Sequence, residues 1–257
     1  MENVHSKDLR RIAIVSGKGG IGKTTLAINL GYILNKEFNL DTIVVDANLT
    51  TPHLGINLGL YNYNLSLNQV LKNKVKPEEV VFLHPTGIKV LPASLETDDL
   101  KDVDILKLPE KLNKLNSNIL IDSAPGLGRE GIAAISSADE ILFVTQPFSN
   151  AVIDIYRAKR IVEKMNKNIL GLVVNGRKGL KHELTDEEIE QLTEIPIIGT
   201  IPYDVEIEKS LTAKLPLALY NPRTKTNEHF YSLASKLIGI EPKKKSFFDK
   251  LLSFFRK

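Results

Sequence analysis

The chain of 257 residues contains no cysteine, which excludes disulfides, iron–sulfur clusters and thiolate zinc sites. Its five histidines are scattered, and no pair has metal-ligand spacing. No apolar run approaches the length needed to span a bilayer. The opening MENVHSKDLRRIAIV carries charges but no long apolar h-region, so no secretory signal is expected and the expected location is cytoplasmic. A basic body is also missing. The formal net charge is +3, but residues 243–257 hold six Lys or Arg against one Asp, giving +5 there and −2 over the preceding 242 residues. The pI of about 8.8 therefore reflects the C-terminal stretch and gives no indication of a nucleic-acid-binding face.

With 42% apolar and 25% charged residues, the chain has globular composition and enough length for a sizeable core. The segments RIAIVSG, TIVVDA, GIKVLPA, NILIDSA, EILFVTQ, NILGLVVN and IPIIGTI are short apolar runs without polar alternation. They read as strands buried on both faces. TTLAINLGYILNKE, GREGIAAISS and NAVIDIYRAKRIVEKM carry helical spacing, the last with Val152, Ile155, Tyr156 and Ile161 on related faces. The alternation predicts an α/β fold with a mainly parallel central sheet and helices on both faces. One domain is expected over residues 1–240, followed by a basic hinge at 241–245 and an appended element at 246–257.

The sharpest local signal is SGKGGIGKTT, Ser16 to Thr25. Gly17-xxxx-Gly22-Lys23-Thr24 has P-loop spacing, with a predicted strand before it and a predicted helix after it. Gly17, Gly19, Gly20 and Gly22 let the backbone around Ile21 wrap tightly. Successive N–H groups and the helix start at Lys23, Thr24 and Thr25 can then address phosphate oxygens. Lys23 is placed to neutralise phosphate charge, and the Thr24 hydroxyl to ligate Mg²⁺ beside ATP.

Lys18 gives the loop the form KGGxGKT, which resembles the deviant P-loop of the MinD/ParA ATPase superfamily. In that superfamily the extra lysine reaches across a nucleotide-sandwich homodimer to the partner's ATP. The resemblance covers nearly the whole chain. It implies that Asp122, ending a buried strand in NILIDSAPGLG, is the Walker-B residue of the Mg²⁺ shell, and that Gly126 belongs to the γ-phosphate-sensing turn. Asp46, ending the second strand in TIVVDANLTTPHLG, matches switch I and joins Thr24 and Asp122 as a metal-site residue. Asn175, Pro202 and Asp204 fall where the family lines its adenine pocket. Asp154 lies in a stretch similar to the MinD surface that meets regulatory proteins.

One position departs from the pattern. Switch I usually reads Asp-x-Asp, but here it reads Asp46-Ala47-Asn48. Asparagine can hydrogen-bond a water but cannot accept its proton. Phosphoryl transfer depends chiefly on positioning and charge stabilisation. Catalysis carried by Lys18, Lys23, Asp46 and Asn48 is thus expected to be slow, with a long-lived ATP state.

The missing cysteines set aside relatives that hold a metal or cluster between subunits. The slightly acidic body argues against DNA as a partner. The MinD branch remains, and in it KKKSFFDKLLSFFRK has a place. On a helical wheel Phe247, Phe248, Leu251, Leu252, Phe254 and Phe255 fall within an arc of roughly 160°, with cations opposite. That is the pattern of a helix lying on an anionic membrane surface, and it resembles the membrane-targeting sequence of MinD. The same pattern would also serve a terminal helix packed on the protein's own core. The expected function is a dimerising, membrane-recruited ATPase that positions a cellular machine such as the division site. Three alternatives stand beside it: a motility-apparatus positioning ATPase, a DNA partition ATPase, and an ATP-sensing scaffold with almost no turnover.

Overall fold

The computed structural model describes residues 9–240. The expected hinge at 241–245 and the apolar residues Phe247 to Phe255 lie outside the described residues.

Among the described residues eight strands form one sheet: β1 (Arg11–Val15), β2 (Thr42–Ala47), β3 (Phe82–Leu83), β4 (Lys89–Leu91), β5 (Asn118–Ser123), β6 (Glu140–Thr145), β7 (Asn168–Arg177) and β8 (Ile197–Pro202). Their order is β3-β4-β2-β5-β1-β6-β7-β8. Every neighbouring pair is parallel except β3–β4. The seven predicted strands are present. The eighth, β3, is a two-residue antiparallel edge with both side chains exposed, so it carries no buried pattern by which the sequence could announce it.

The inner strands are apolar through their middles because each face has its own core. Ala13, Val15, Val45 and Ile121 point into one core, while Ile12, Ile14, Val44 and Leu120 point into the other. Helices Arg129–Ser137 and Ser149–Lys164 cover the first face, and Lys23–Lys36 and Thr226–Leu237 cover the second. In Ser149–Lys164 the buried stripe is Val152, Ile155, Ala158 and Val162, and Tyr156 is turned to solvent. The expected grouping of Tyr156 with Val152 and Ile155 is corrected accordingly: one residue beyond Ile155 is about 100° further round the helix, and the small Ala158 takes the inward place.

The topology fixes where a ligand can sit. From β1 the chain crosses to β2 on one side, and from β5 it crosses past β1 to β6 on the other. The order therefore reverses at β1, and in open α/β sheets ligands bind beyond the carboxyl ends of the strands at such a point. Beneath it, the buried Asn29 joins the P-loop helix to the rest of the body. Its Oδ1 accepts from Leu217 N–H at 2.8 Å, and its Nδ2 donates to the Thr25 carbonyl at 2.8 Å. Asn29→Ala leaves the Leu217 N–H buried without its acceptor. We expect a loss of about 1–3 kcal/mol of stability in denaturant melts of the nucleotide-free protein; an unchanged midpoint would contradict this role.

Candidate functional site

Residues 16–22 connect β1 to helix Lys23–Lys36. Gly22 is the residue before the helix, at φ 100°, and Gly20 stands at φ 73°, conformations that L side chains rarely adopt. Among the described residues no side chain caps this helix, so its first-turn N–H groups are the donors that an anion requires. The loop is also closely covered. A Cβ on Gly17 would stand 2.2 Å from the Asp154 Cβ, and one on Gly22 would stand 2.2 Å from Asn175 Nδ2. Inside the loop Lys23 is almost fully buried, and its Nζ donates to Ser16 Oγ at 2.8 Å. Ser16 Oγ donates in turn to the Lys18 carbonyl at 2.7 Å. Burial pulls the Lys23 ammonium below its ordinary pKa, against the opposing pull of the Asp122 carboxylate.

Asp46 and Asp122 are register partners on β2 and β5, and both are buried. Asp46 accepts from the N–H of Asn48 at 3.1 Å and of Leu54 at 3.0 Å. Burial, and then the neighbouring Asp122 charge, push its carboxyl well above the usual range, although the backbone donors counteract this. Asp122 is pushed up to about 6 by burial, with the Thr24 hydroxyl and Lys23 opposing. Among the described residues its buried Oδ1 has no hydrogen-bond partner.

Asn48 is held locally. Its Nδ2 donates to the Thr51 carbonyl at 2.5 Å, and its Oδ1 accepts from the Thr51 hydroxyl at 3.1 Å. Gly126, at φ 72° after Pro125, donates its N–H to the Ser16 carbonyl at 3.0 Å and so fastens that turn to the loop. Lys18, unlike Lys23, points outward. Its Nζ lies 3.6 Å from Asp154 Oδ2, and its side chain is 41% exposed.

The family model described as CobQ/CobB/MinD/ParA nucleotide binding domain matches residues 12–217. The chain belongs to that family. An uncharacterised ATP-binding protein of Methanocaldococcus jannaschii is 32% identical over 250 residues, 94% of this chain and 94% of its own. The septum site-determining protein MinD of Thermotoga maritima is 29% identical, over 89% of this chain and 88% of its own. Among solved structures, the septum site-determining protein MinD complexed with Mg-ADP from Pyrococcus horikoshii matches with a TM-score of 0.85 at 28% identity. It covers 94% of this chain and 99% of that one. The protein is thus a MinD-like member of the MinD/ParA superfamily, with the parallel α/β fold expected from its sequence.

In this MinD-like chain the P-loop, Asp46, Asn48, Asp122 and Gly126 come together at one end of the sheet. The three residues expected at an adenine pocket occupy varied positions. Asn175 Nδ2 donates to the Ile21 carbonyl at 2.6 Å, tying β7 to the phosphate loop. Pro202 ends β8 in register with Arg177. Asp204 caps helix Val205–Thr212 through Glu206 N–H at 2.9 Å, and its other oxygen takes the Thr224 and Thr226 hydroxyls at 3.0 and 2.5 Å. Two features went unforeseen. Ser16 holds the Lys23 head, for which the residue type offers no motif. Glu130 accepts from Thr50 across 80 positions of sequence, a contact no local pattern encodes.

Among the described residues no cluster of three or more His, Cys, Asp or Glu forms a metal cage. The unpartnered Asp122 Oδ1 beside Thr24 nevertheless suits a hard cation that takes one or two carboxylates and completes its shell with phosphate and water. In the metal-free protein the raised Asp122 pKa has a definite sign. Below the ordinary 3.8 folded and unfolded chains both hold the proton. Between there and about 6 the folded chain holds more, so this group's contribution to stability is lost as pH rises. Asp122→Asn should therefore stabilise the Mg²⁺- and nucleotide-free protein near neutral pH, on the order of 1–3 kcal/mol. The gain should shrink toward zero near pH 4 in paired urea melts, and a gain independent of pH would refute it.

Proposed function

We propose that the protein is a Mg-ATP-dependent, dimerising ATPase that associates reversibly with the membrane and positions a cellular machine, in the manner of MinD. ATP and Mg²⁺ are its cofactors. The observation that carries this reading is the meeting of a buried P-loop lysine, Lys23, with two buried strand-end acids, Asp46 and Asp122, at the switch point of the sheet. Thr24 and Asp122 would hold Mg²⁺, with Asp46 next to them, and the ion supplies neutralisation of charge on the β- and γ-phosphate oxygens. Lys23 contributes a second positive charge in a desolvated loop, where it acts strongly.

Lys18 serves the partner's nucleotide in this reading. Its pairing with Asp154 at 3.6 Å is partly exposed, and such pairs are worth about 0–1 kcal/mol. Phosphates on a second protomer can therefore draw the ammonium away at little cost.

Membrane recruitment rests on the sequence of residues 246–257. Six apolar side chains give an upper bound of roughly 10–15 kcal/mol, and ordering about a dozen residues costs a comparable amount. One such segment binds weakly, and two on one dimer gain roughly 10²–10⁴ in avidity. Co-sedimentation with anionic vesicles should pellet the full chain with ATP and leave it in solution with ADP. A chain truncated at Pro242 should not pellet at all. Equal pelleting with and without these residues would overturn the membrane role. ATP-dependent, salt-sensitive DNA binding without lipid dependence would favour a partition ATPase instead.

A second reading, an ATP-sensing scaffold with negligible turnover, is favoured by Asn48, whose amide is committed to Thr51. Asn48→Asp supplies a proton acceptor but loses the donation to the Thr51 carbonyl. We expect faster turnover at saturating Mg-ATP together with a stability loss of about 0.5–1.5 kcal/mol. An unchanged kcat would remove Asn48 as the cause of slow hydrolysis.

A further inference from the structure

Between switch I and the turn containing Gly126 lies a cavity of about 540 Å³, lined among others by Asn48, Thr50, Thr51, Pro125 and Glu130. Glu130 is the only carboxylate in that lining. It stands in the first turn of helix Arg129–Ser137, and a single oxygen, Oε1, accepts from Thr50 N–H at 3.1 Å and from the Thr50 hydroxyl at 2.6 Å. Of the two, the hydroxyl contact is the short one.

The next residue faces the Gly126 turn. A Cβ on Gly131 would stand 2.3 Å from the Gly126 carbonyl oxygen, so the helix start is seated directly on that turn. Gly126 N–H in turn donates to the Ser16 carbonyl of the P-loop at 3.0 Å. A contiguous path therefore runs from the phosphate loop through the Gly126 turn and residues 130–131 to Thr50. Thr50 and Thr51 are exposed and lie outside any helix or strand. Apart from the Asp46 bonds to the backbone of Asn48, His53 and Leu54, and the Asn48–Thr51 bonds within the loop, Glu130 is the anchor that the described residues give the exposed part of this segment.

We infer that Glu130 is a positioning residue that fastens switch I to the helix seated on the Gly126 turn and so holds Asn48 in place for turnover. The inference rests on reading these segments as the switches of an ATPase. A positioning residue acts by accepting hydrogen bonds, so the amide oxygen of Gln can replace it; a proton acceptor cannot be replaced in that way.

Two measurements on the full-length protein test this. Hydrogen exchange over residues 48–54, in the nucleotide-free protein, should be roughly tenfold faster in Glu130→Ala than in wild type, and near wild type in Glu130→Gln. Steady-state turnover of Glu130→Ala should show kcat lowered roughly tenfold with KM for Mg-ATP nearly unchanged, and Glu130→Gln should restore it. Unchanged exchange in Glu130→Ala overturns the anchor. A Gln variant as slow as the Ala variant overturns positioning in favour of a proton or charge role, and an unchanged kcat overturns the link to turnover. A wild-type chain without turnover defeats the ATPase reading alone, and the exchange result then still upholds or overturns the anchor.

Discussion

Asp46 and Asp122 lie directly across from one another at the C-terminal ends of two adjacent parallel strands, and neither reaches water. Two like charges in such a place are costly, and the surrounding chain is arranged to compensate them. Asp46 is met by backbone N–H groups of the segment that follows β2, which gives that segment its first two fixed points. Asp122 is met by the Thr24 hydroxyl and by the charge of Lys23. Lys23 can be buried because Ser16 accepts from it, and Ser16 is positioned because its own hydroxyl closes on the Lys18 carbonyl. The P-loop and the segment after β2 thus both supply groups that offset the burial of these acids.

The two-sided burial of the inner strands has a place in the same argument. A sheet that must hold two acids at the C-terminal ends of inner strands needs rigid neighbours, and β1, β2 and β5 bury residues such as Ile14, Val44, Val45 and Ile121 in the cores on the two faces. Helix Arg129–Ser137 then carries the order outward. Gly131 rests on the Gly126 turn, and Glu130 reaches Thr50. Without that contact the exposed part of switch I would depend on bonds made at its ends and within itself.

Elements that are encoded locally could be read from the sequence. The long strands announce themselves because burial on both faces demands continuous apolar runs, and the P-loop does so because its glycines, lysine and threonine lie within ten residues. β3 could not be read, since two exposed residues carry no pattern. Tyr156 misled because an aromatic at helical spacing fits a buried stripe until a small neighbour, Ala158, takes the inward position. Asn175 on Ile21 joins residues 154 positions apart, and Glu130 on Thr50 joins residues 80 apart; such pairs follow from topology alone. Asp204 is expected only as an adenine-pocket residue, and that reading misses the capping signal of an Asp directly before a helix-forming stretch, which it fulfils here.

The fold also constrains how ATP could time the proposed membrane contact. The last described residue, Ile240, lines a cleft with Arg10, Thr42 and Asn118, at the N-terminal ends of β1, β2 and β5. Arg10 donates to the Leu237 carbonyl there. The phosphate loop and the two acids lie at the opposite ends of those strands. A strand of five or six residues spans roughly 17–20 Å, so a nucleotide at the loop does not touch the point from which residues 241–257 depart. Contact between nucleotide and departure point is therefore not the means of control. Doubling the number of membrane-facing segments is a means that needs no contact across the sheet, since it changes effective concentration without altering either segment. In the proposed function the rate that matters is then the lifetime of the proposed dimer, on which Asn48, set in its loop by Thr51, would bear through the speed of the proposed hydrolysis.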